Sequence, residues 1–240
     1  MNNGYGIVQE QYNVSCIDCT VSRCSVLRNC SEQCLNLITF LKKTITFKKG
    51  QRIILEGNYS QNIFLLSSGK IKIYKTDKEG NDLILRFVKK GEILDFNRLN
   101  SNNEYEESAM AIDDCVLCLI DQEDFFRVVQ VYPELANELL SYYQNALIKA
   151  ENKSFRMGRL KVKGRVADAL LTMYEAYGTS GGEHTLNLEL SRREIADLAC
   201  TTKEQVSTIL SEFSDCGIIE THAKQINLRD IDALKAVAEV

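Results

Sequence analysis

The spacing of apolar and polar residues changes along the chain and predicts two kinds of structure. Between positions 44 and 121, glycine or Asx turns separate short apolar runs at intervals of about ten residues, which is typical of a β sandwich or jelly roll. From Pro133 onward, apolar residues recur every three or four positions, which is the period of an amphipathic helix. The pattern therefore predicts a β domain followed by a helical half.

The same pattern bounds the individual elements. A short helix is predicted at 31–41, and it precedes strands at 52–55, 63–66, 70–75, 83–88 and 115–120. A long helix should start at Pro133, and a second helix should cover 163–177. The segment through Leu186, Leu188 and Leu190 alternates like a strand. Two short helices, a two-stranded wing at 218–220 and 225–228, and a last helix from Asp230 complete the chain.

The apolar stripe of the long helix is narrow and close to heptad spacing, which suits a helix that pairs with a second copy of itself. Packing of this stripe against the chain's own β domain is the alternative. The stripe residues expected at a dimer contact are Leu139, Tyr143, Ala146, Leu147 and Ala150.

Two successive helix starts near the C-terminus predict a DNA-reading unit. Ser191 and Glu194 form a capping box, in which each side chain accepts from the other residue's backbone N–H. Thr201-Thr-Lys-Glu begins the next helix. Two short helices joined by a tight turn and followed by a hairpin are typical of a winged helix-turn-helix.

Polar side chains at the start of the second helix can reach base edges in the major groove. The candidates are Thr202, Lys203, Glu204 and Ser207. Lys203 can donate to guanine, and Glu204 can accept from cytosine. Arg192 and Arg193, at the start of the preceding helix, are candidate phosphate contacts.

Composition is compatible with this prediction. The 240 residues carry a net charge of −4, but a local basic patch is enough for DNA binding. The run 153–165 holds six basic residues and no acidic one, although a solvated linker face is the alternative interpretation. With no membrane-length apolar run and no visible signal peptide, we expect a cytoplasmic protein without a membrane partner.

Nine cysteines are unusual for such a protein, and five of them fall between Cys16 and Cys34. In a reducing compartment this clustering indicates a metal, an iron–sulfur cluster or redox chemistry. The i, i+4 spacing of Cys30 and Cys34 would put both thiols on one helix face and would allow a metal role, but packing is the preferred interpretation for them. Cys200 and Cys216 are also interpreted as small buried apolar side chains.

Three stretches together resemble the Crp/Fnr superfamily of transcription regulators. They are the β domain, especially 64–96, the long helix after Pro133, and SRREIADLACTTKEQVSTILSEFSDCGIIE (191–220) with its wing. The resemblance implies an α+β fold with a jelly-roll sensor domain like that of cyclic-nucleotide-binding proteins. It also implies a homodimer that binds a pseudo-palindromic promoter site on double-stranded DNA and contacts RNA polymerase.

The expected division of the chain follows this resemblance. A cysteine-rich segment covers 1–43, the sensor domain 44–132, the dimerisation helix and hinge 133–162, and the DNA-binding domain 163–240. The Glu-x-x-Ser of the Fnr recognition helix is matched by Glu204 and Ser207. Thr208 replaces the arginine that follows it in that pattern, which removes a bidentate contact and leaves the operator sequence open.

The resemblance also bears on the signal that the protein senses. Cyclic-nucleotide binders place Arg-Ser where this chain has Glu107-Ser108. A carboxylate there repels a cyclic phosphate, so a cyclic nucleotide is disfavoured. The Fnr branch holds a [4Fe–4S] cluster on three N-terminal cysteines and one from the β domain. The matching positions here are Cys16, Cys19, Cys24 and Cys118, although the Fnr pattern has one more residue between its second and third cysteines.

Several alternatives stay open. Cys115 competes with Cys118 for the fourth position, and strand alternation puts these two on opposite faces. A structural zinc site, a dithiol switch or a regulator that binds a small effector in its β domain would also fit. We expect no enzyme, because the only two histidines, His184 and His222, lie outside the β domain and no nucleophile–base pair stands out.

Overall fold

The computed structural model describes residues 14–59, 61–94, 104–180 and 184–239, with the side chain of Cys24 outside the described part. The chain divides into two compact units. The first unit runs through residue 75 and continues from 86 to 148, and the second takes 76–85 and the residues from 149 onward.

The first unit opens with a 3-10 turn, Ser22–Cys24, and helix α1, Glu32–Leu41. Ser31 caps α1 because its side chain accepts from the backbone N–H of Cys34, which satisfies one of the donors that a helix start leaves unpaired. The predicted helix at 31–41 is therefore confirmed.

The residues described from 43 to 121 form seven strands. They are β1 (Lys43–Phe47), β2 (Arg52–Ile54), β3 (Asn62–Ser68), β4 (Ile71–Thr76), β5 (Asp82–Val88), β6 (Ser108–Ala111) and β7 (Cys115–Asp121). They form a sheet of order β1-β7-β3 and a sheet of order β2-β6-β4-β5. All five predicted strands are present, whereas β1 and β6 were not predicted. β6 reads Ser-Ala-Met-Ala, which has no β-branched residue, so pairing with β2 and β4 defines it rather than propensity.

Two helices complete the first unit. Helix α2 (Gln122–Val131), which was not predicted, starts at the N-cap Asp121. Helix α3 (Pro133–Arg159) begins at Pro133 as expected and continues into the second unit. The apolar core between these helices, α1 and the sheet includes Cys16, Cys34, Ile120, Phe125 and Leu135. This core holds the N-terminal cysteine segment against the β strands.

The second unit is mainly helical. Its elements are α4 (Val162–Tyr177), β8 (Thr179–Ser180), β9 (Thr185–Leu186), α5 (Arg192–Ala199), α6 (Lys203–Asp215), β10 (Ile219–His222), β11 (Gln225–Leu228) and α7 (Ile231–Val237). The four strands have the order β10-β11-β9-β8. The predicted strand through Leu190 is wrong beyond Leu186. Leu188 and Leu190 are buried, so their alternation reflects burial of an extended segment without strand pairing.

These elements give an α+β fold: an N-terminal β roll, a long helix and a C-terminal winged helix-turn-helix. That is the architecture expected from the sequence. Among the helices that the structure describes, none has the length and apolar character to cross a membrane.

A close backbone approach in the β roll makes Gly69 irreplaceable. Gly69 has φ +100°, and an added Cβ would lie 2.6 Å from both the Asp114 carbonyl oxygen and the Cys115 Sγ. Gly50 has a similar φ of +83° but open space around it.

We expect Gly69→Ala to lower the free energy of unfolding by about 2–4 kcal/mol and Gly50→Ala by about 1 kcal/mol. Urea unfolding measures both free energies. Equal losses in the two variants would contradict steric crowding at Gly69.

Candidate nucleic-acid interface and thiol cluster

Helix α5 starts at the predicted capping box. The backbone N–H of Ser191 donates to Glu194 Oε2 at 3.0 Å, and the N–H of Glu194 donates to Ser191 Oγ at 3.2 Å. Ile195 and Leu198 are buried on the inner face. The box fixes where α5 begins, and therefore where the following turn falls.

The turn between α5 and α6 depends on Cys200 and Arg165. Cys200 adopts a left-handed conformation (φ 51°, ψ 53°) at the C-cap of α5, a position that favours glycine. The Arg165 guanidinium donates to the carbonyls of Ala199 at 3.0 Å, Cys200 at 3.2 Å and Leu160 at 3.2 Å. Arg165 thus links the turn to Leu160, the residue that follows α3.

Helix α6 buries one face and exposes the predicted contact residues. Val206, Ile209, Leu210 and Phe213 are buried. Thr202 caps the helix by accepting from the N–H of Gln205 at 3.3 Å. Lys203, Glu204 and Ser207 are exposed. The Ser207 hydroxyl donates to the Lys203 carbonyl at 2.9 Å, so its oxygen keeps acceptor capacity for an outside donor.

Further exposed polar residues surround these candidates. Gln205 and Ser211 lie on the same helix, and Lys224 lies at the tip of the wing between β10 and β11. None of these three residues was predicted from the sequence. The signal for Lys224 was available, because it is a basic residue in the turn of a predicted hairpin, where it can meet phosphate.

The two predicted phosphate contacts differ in environment. Arg192 is half-buried, and desolvation lowers the pKa of its guanidinium. Arg193 is exposed, and its Nη2 donates to Asn81 Oδ1 at 3.3 Å in the β4–β5 turn. Arg193 is therefore the more accessible of the two.

The basic run 153–165 is largely bonded within the second unit. Lys153 donates to the carbonyls of Ile84 and Leu85 at 3.1 and 2.8 Å. Arg156 pairs with Asp168 at 2.8 Å, and Lys163 pairs with Glu212 at 2.8 Å. Together with Arg165, four of its six cations thus bond to protein groups, and the expectation of a basic DNA patch here needs correction.

Three of the four predicted cluster ligands come near one another in the first unit. Cys16 is only 4% exposed, and its backbone N–H donates to Thr39 Oγ1 at 2.8 Å on α1. Cys118 lies on β7 opposite Thr44 of β1 and Leu65 of β3. The N-terminal segment thus runs past the strand that carries Cys118.

The charge interactions of Cys118 are consistent with its position near Cys16 and Cys19. Burial raises the pKa of the Cys118 thiol, the neighbouring Lys42 ammonium opposes that rise, and Cys16 and Cys19 add to it. Lys42 itself is buried, and its Nζ donates to the Val14 carbonyl at 2.6 Å. Lys42 is a functional candidate that the sequence analysis missed, because nothing in the sequence indicates that it faces the thiols.

The fourth predicted ligand, Cys24, has its backbone in the 3-10 turn, and its side chain lies outside the described residues. Among the side chains that are described, no three His, Cys, Asp or Glu residues are grouped closely enough to hold a metal ion.

Cys115, the competitor of Cys118, points into the β roll. It is 1% exposed, and its Sγ lies 3.3 Å from the Lys70 carbonyl and 3.1 Å from the Asp113 carbonyl. Burial raises its pKa to about 11. Cys115 therefore fills the space beside Gly69 on the side of β7 away from the N-terminal thiols.

The remaining thiols fall into two groups. Cys34 lies in the first turn of α1 and is fully buried, whereas Cys30 precedes the N-cap Ser31 and is half-buried. The prediction that both lie in the helix is therefore wrong for Cys30. Cys200 and Cys216 are exposed, so the interpretation of these two as buried apolar side chains is wrong.

The predicted dimer stripe on α3 divides between two environments. Leu139 and Tyr143 are partly buried against the core of the first unit, and Ala146 is half-buried. Leu147 and Ala150 are exposed. Two unpredicted apolar residues, Leu140 at 67% and Ile148 at 46%, are exposed beside Leu147.

The segment that corresponds to a phosphate cassette carries opposite charges. Glu107 Oε2 lies 3.9 Å from Arg86 Nη2, and that guanidinium also donates to the Leu94 carbonyl at 2.5 Å. Ser108 is buried, and its hydroxyl accepts from the backbone N–H of Glu56 at 3.0 Å. The only hydroxyl of the Glu107-Ser108 pair thus has a protein partner.

Comparison with known proteins gives matches along most of the chain. Residues 44–132 match the family described as cyclic nucleotide-binding domain, and residues 164–237 match the Crp-like helix-turn-helix domain. The chain is 25% identical over 192 residues to the cyclic AMP receptor protein of Thermus thermophilus, covering 80% of this chain and 86% of that protein. It is 21% identical over 227 residues to the fumarate and nitrate reduction regulatory protein of Salmonella typhi, covering 94% and 90%.

A solved structure agrees with these matches. FixK2 from Bradyrhizobium japonicum has a TM-score of 0.73 at 25% identity and covers 83% of this chain and 98% of that chain. A β roll, a long helix and a winged helix-turn-helix in this order define a DNA-binding transcription regulator. The chain belongs to the Crp/Fnr superfamily.

The exposed start of α6 generates one prediction. Glu204→Ala should relax the preference for one base in each half-site by roughly 1–3 kcal/mol, because a carboxylate can accept from cytosine. Selection from random duplexes measures this preference. An unchanged base preference in Glu204→Ala would contradict the placement of α6 in the groove.

The wing generates a different prediction. Lys224→Ala should weaken binding to all DNA sequences alike and reduce the slope of log affinity against log salt concentration by about 1. Titration against salt measures this slope.

Proposed function

We propose that this regulator belongs to the Fnr-like branch and senses oxygen or redox state through a [4Fe–4S] cluster held by Cys16, Cys19, Cys24 and Cys118. The observation that carries this proposal is the position of Cys118, whose thiol interacts with Cys16 and Cys19. Segments far apart in sequence thus bring thiols near one another, which supports the proposal.

The chemistry of this place suits a thiolate-bound cluster. Thiolates are the ligands that iron–sulfur clusters require. Burial raises the pKa of the Cys118 thiol, and the Lys42 ammonium beside it opposes that rise. The low exposure of Cys16 limits water, and solvent exposure is one of the factors that set a cluster's potential. When bound, the cluster would supply the oxygen-sensitive group.

The relatives support the same branch. The Salmonella typhi relative is named for fumarate and nitrate reduction, which are redox processes. The Thermus thermophilus relative is named for cyclic AMP, but the Glu107 carboxylate stands where a cyclic phosphate needs a cation. The pairing of Glu107 with Arg86 supports our view that this chain takes no cyclic nucleotide.

Iron analysis tests the sensor. In protein purified without oxygen, Cys118→Ser should lose most of its iron and acid-labile sulfide, because one of four ligands is gone. Cys115→Ser is the matched control on the same strand, and it should keep wild-type iron content. Both contents are measured per protein chain.

Other outcomes separate the alternatives. Zinc in place of iron would indicate a structural zinc site. Wild-type protein that contains neither iron nor zinc would favour the alternative function, a regulator of the same fold that binds a small effector. Equal iron loss in Cys115→Ser and Cys118→Ser would overturn the assignment of the fourth ligand.

We also propose that the regulator acts as a homodimer that pairs through α3 on a pseudo-palindromic promoter site and contacts RNA polymerase there. The observation that favours pairing is an exposed apolar face on α3. Leu140 and Leu147 are seven residues apart, as are Ile148 and Phe155, and all four are exposed. Seven-residue spacing is the repeat of paired helices, and such exposed apolar faces mark interaction sites.

Leu147→Glu tests this pairing, because it places a charge in the proposed contact. We expect the dimer dissociation constant to rise about a hundredfold, which corresponds to about 2.7 kcal/mol. Lys149→Glu, an exposed change on the same helix, is the control and should stay dimeric. Sedimentation analysis over a concentration series measures both constants. A dimer of unchanged affinity in Leu147→Glu would exclude this face.

A further inference from the structure

We propose that the outer face of α6 reads the exocyclic amino groups of adenine and cytosine rather than guanine, and that Thr208 faces an A·T base pair in each half-site. This inference rests on DNA binding by α6 and names a base pair of the proposed promoter site. It does not depend on the proposed cluster, because every residue that carries it lies in the second unit.

Four polar side chains form the face of α6 that lies opposite its buried side. They are Glu204, Ser207, Thr208 and Ser211, and all four are exposed. Residues at positions i, i+3, i+4 and i+7 lie on one side of an α-helix. The side chains that pack inward, from Val206 to Phe213, occupy the other side. The four exposed residues are called the reading face below.

The hydroxyl hydrogens of the reading face are bonded within the helix. The Ser207 hydroxyl donates to the Lys203 carbonyl at 2.9 Å. The Thr208 hydroxyl donates to the Glu204 carbonyl, and the Ser211 hydroxyl donates to the Ser207 carbonyl, both at 3.1 Å. A hydroxyl has one hydrogen and two acceptor lone pairs, and such local bonds are common for Ser and Thr in helices. These side chains therefore offer an outside group an acceptor.

Charge gives the reading face the same preference. The Glu204 carboxylate is negative and has only acceptor oxygens. The one basic residue of α6, Lys203, lies about 100° around the helix from Glu204, so it can contact guanine only at the edge of this face. Guanine presents two acceptors in the major groove, whereas adenine N6 and cytosine N4 present hydrogens. The reading face therefore matches adenine and cytosine.

Thr208 distinguishes between these two bases. Its side chain carries a methyl group beside the hydroxyl oxygen, and a threonine methyl packs on the C5-methyl of thymine. An A·T pair presents an amino hydrogen and this methyl group in the major groove, whereas a C·G pair presents the amino hydrogen without a methyl. An arginine at this position, as in the Fnr pattern, would instead donate to both acceptors of guanine. Threonine here thus predicts A·T in place of G·C.

Selection from random duplexes, with full-length protein purified without oxygen, identifies the base pair. Wild type should enrich A·T at one position of each half-site, and Thr208→Arg should enrich G·C at that position. Wild type that enriches G·C there, or the same selected sequence in both proteins, would overturn the inference while leaving DNA binding by α6 intact. Wild type that enriches no sequence would contradict the placement of α6 in the groove.

Base analogues separate the oxygen of Thr208 from its methyl group. Unsubstituted purine in place of the selected adenine removes the amino group. This change should weaken wild-type binding about fivefold, which is the effect of one hydrogen bond. It should leave Thr208→Val nearly unaffected, because valine keeps the methyl group and has no acceptor. Uracil in place of thymine removes the methyl group and should weaken both proteins alike.

Thr172→Val is the matched control. The Thr172 hydroxyl donates to the Asp168 carbonyl at 2.8 Å in α4, so the variant loses the same kind of bond outside the reading face. It should respond to both analogues as wild type does. If loss of the amino group weakens wild type and Thr208→Val equally, the Thr208 oxygen does not accept from adenine and the inference is overturned.

Discussion

One apolar core determines where the chemistry of the first unit can occur. Cys16 and Cys34 from the N-terminal segment, Ile120 from β7 and Leu135 from α3 are buried in the same cluster. Burial of these side chains is the main favourable term that offsets ordering of the segment. Because the segment is fixed, Cys16 and Cys19 come near Cys118, and the turn at Cys30 reaches α3. The proposed sensor thiols and helix α3, which carries an exposed apolar face, are thus packed around the same core.

The second unit depends on a different constraint, the rigid turn between α5 and α6. Local capping at Ser191 and Thr202 fixes the ends of the two helices, and Arg165 binds the carbonyls between them. A recognition helix can read bases only if its orientation is held, since base contacts require close positioning. Most cations of the basic run bond to groups of the same unit, so we expect DNA contact at α6, the wing and Arg193.

The sequence predicts most accurately what local interactions decide. The capping box at Ser191, the start of α3 at Pro133 and the wing follow from neighbouring residues, so they were found. The strand β6 and the partners of Arg156 and Lys163 depend on distant segments, which a single sequence does not reveal. The alternation of side chains along β7 put Cys115 and Cys118 on opposite faces of the strand. Which face lies near the N-terminal thiols depends on how the N-terminal segment packs. The heptad pattern likewise could not tell that Leu139 and Tyr143 pack inward while Leu140 stays exposed.

In the function proposed above, oxygen or redox state, sensed at Cys118 and the N-terminal thiols, controls DNA binding by α6. The most direct test measures the affinity of protein purified without oxygen for a selected duplex, before and after air is admitted. We expect the affinity to fall at least about tenfold as the visible absorption of the cluster is lost. Cys118→Ser should bind weakly under both conditions. An affinity that is indifferent to oxygen, and equal in Cys118→Ser and wild type, would contradict the proposed function.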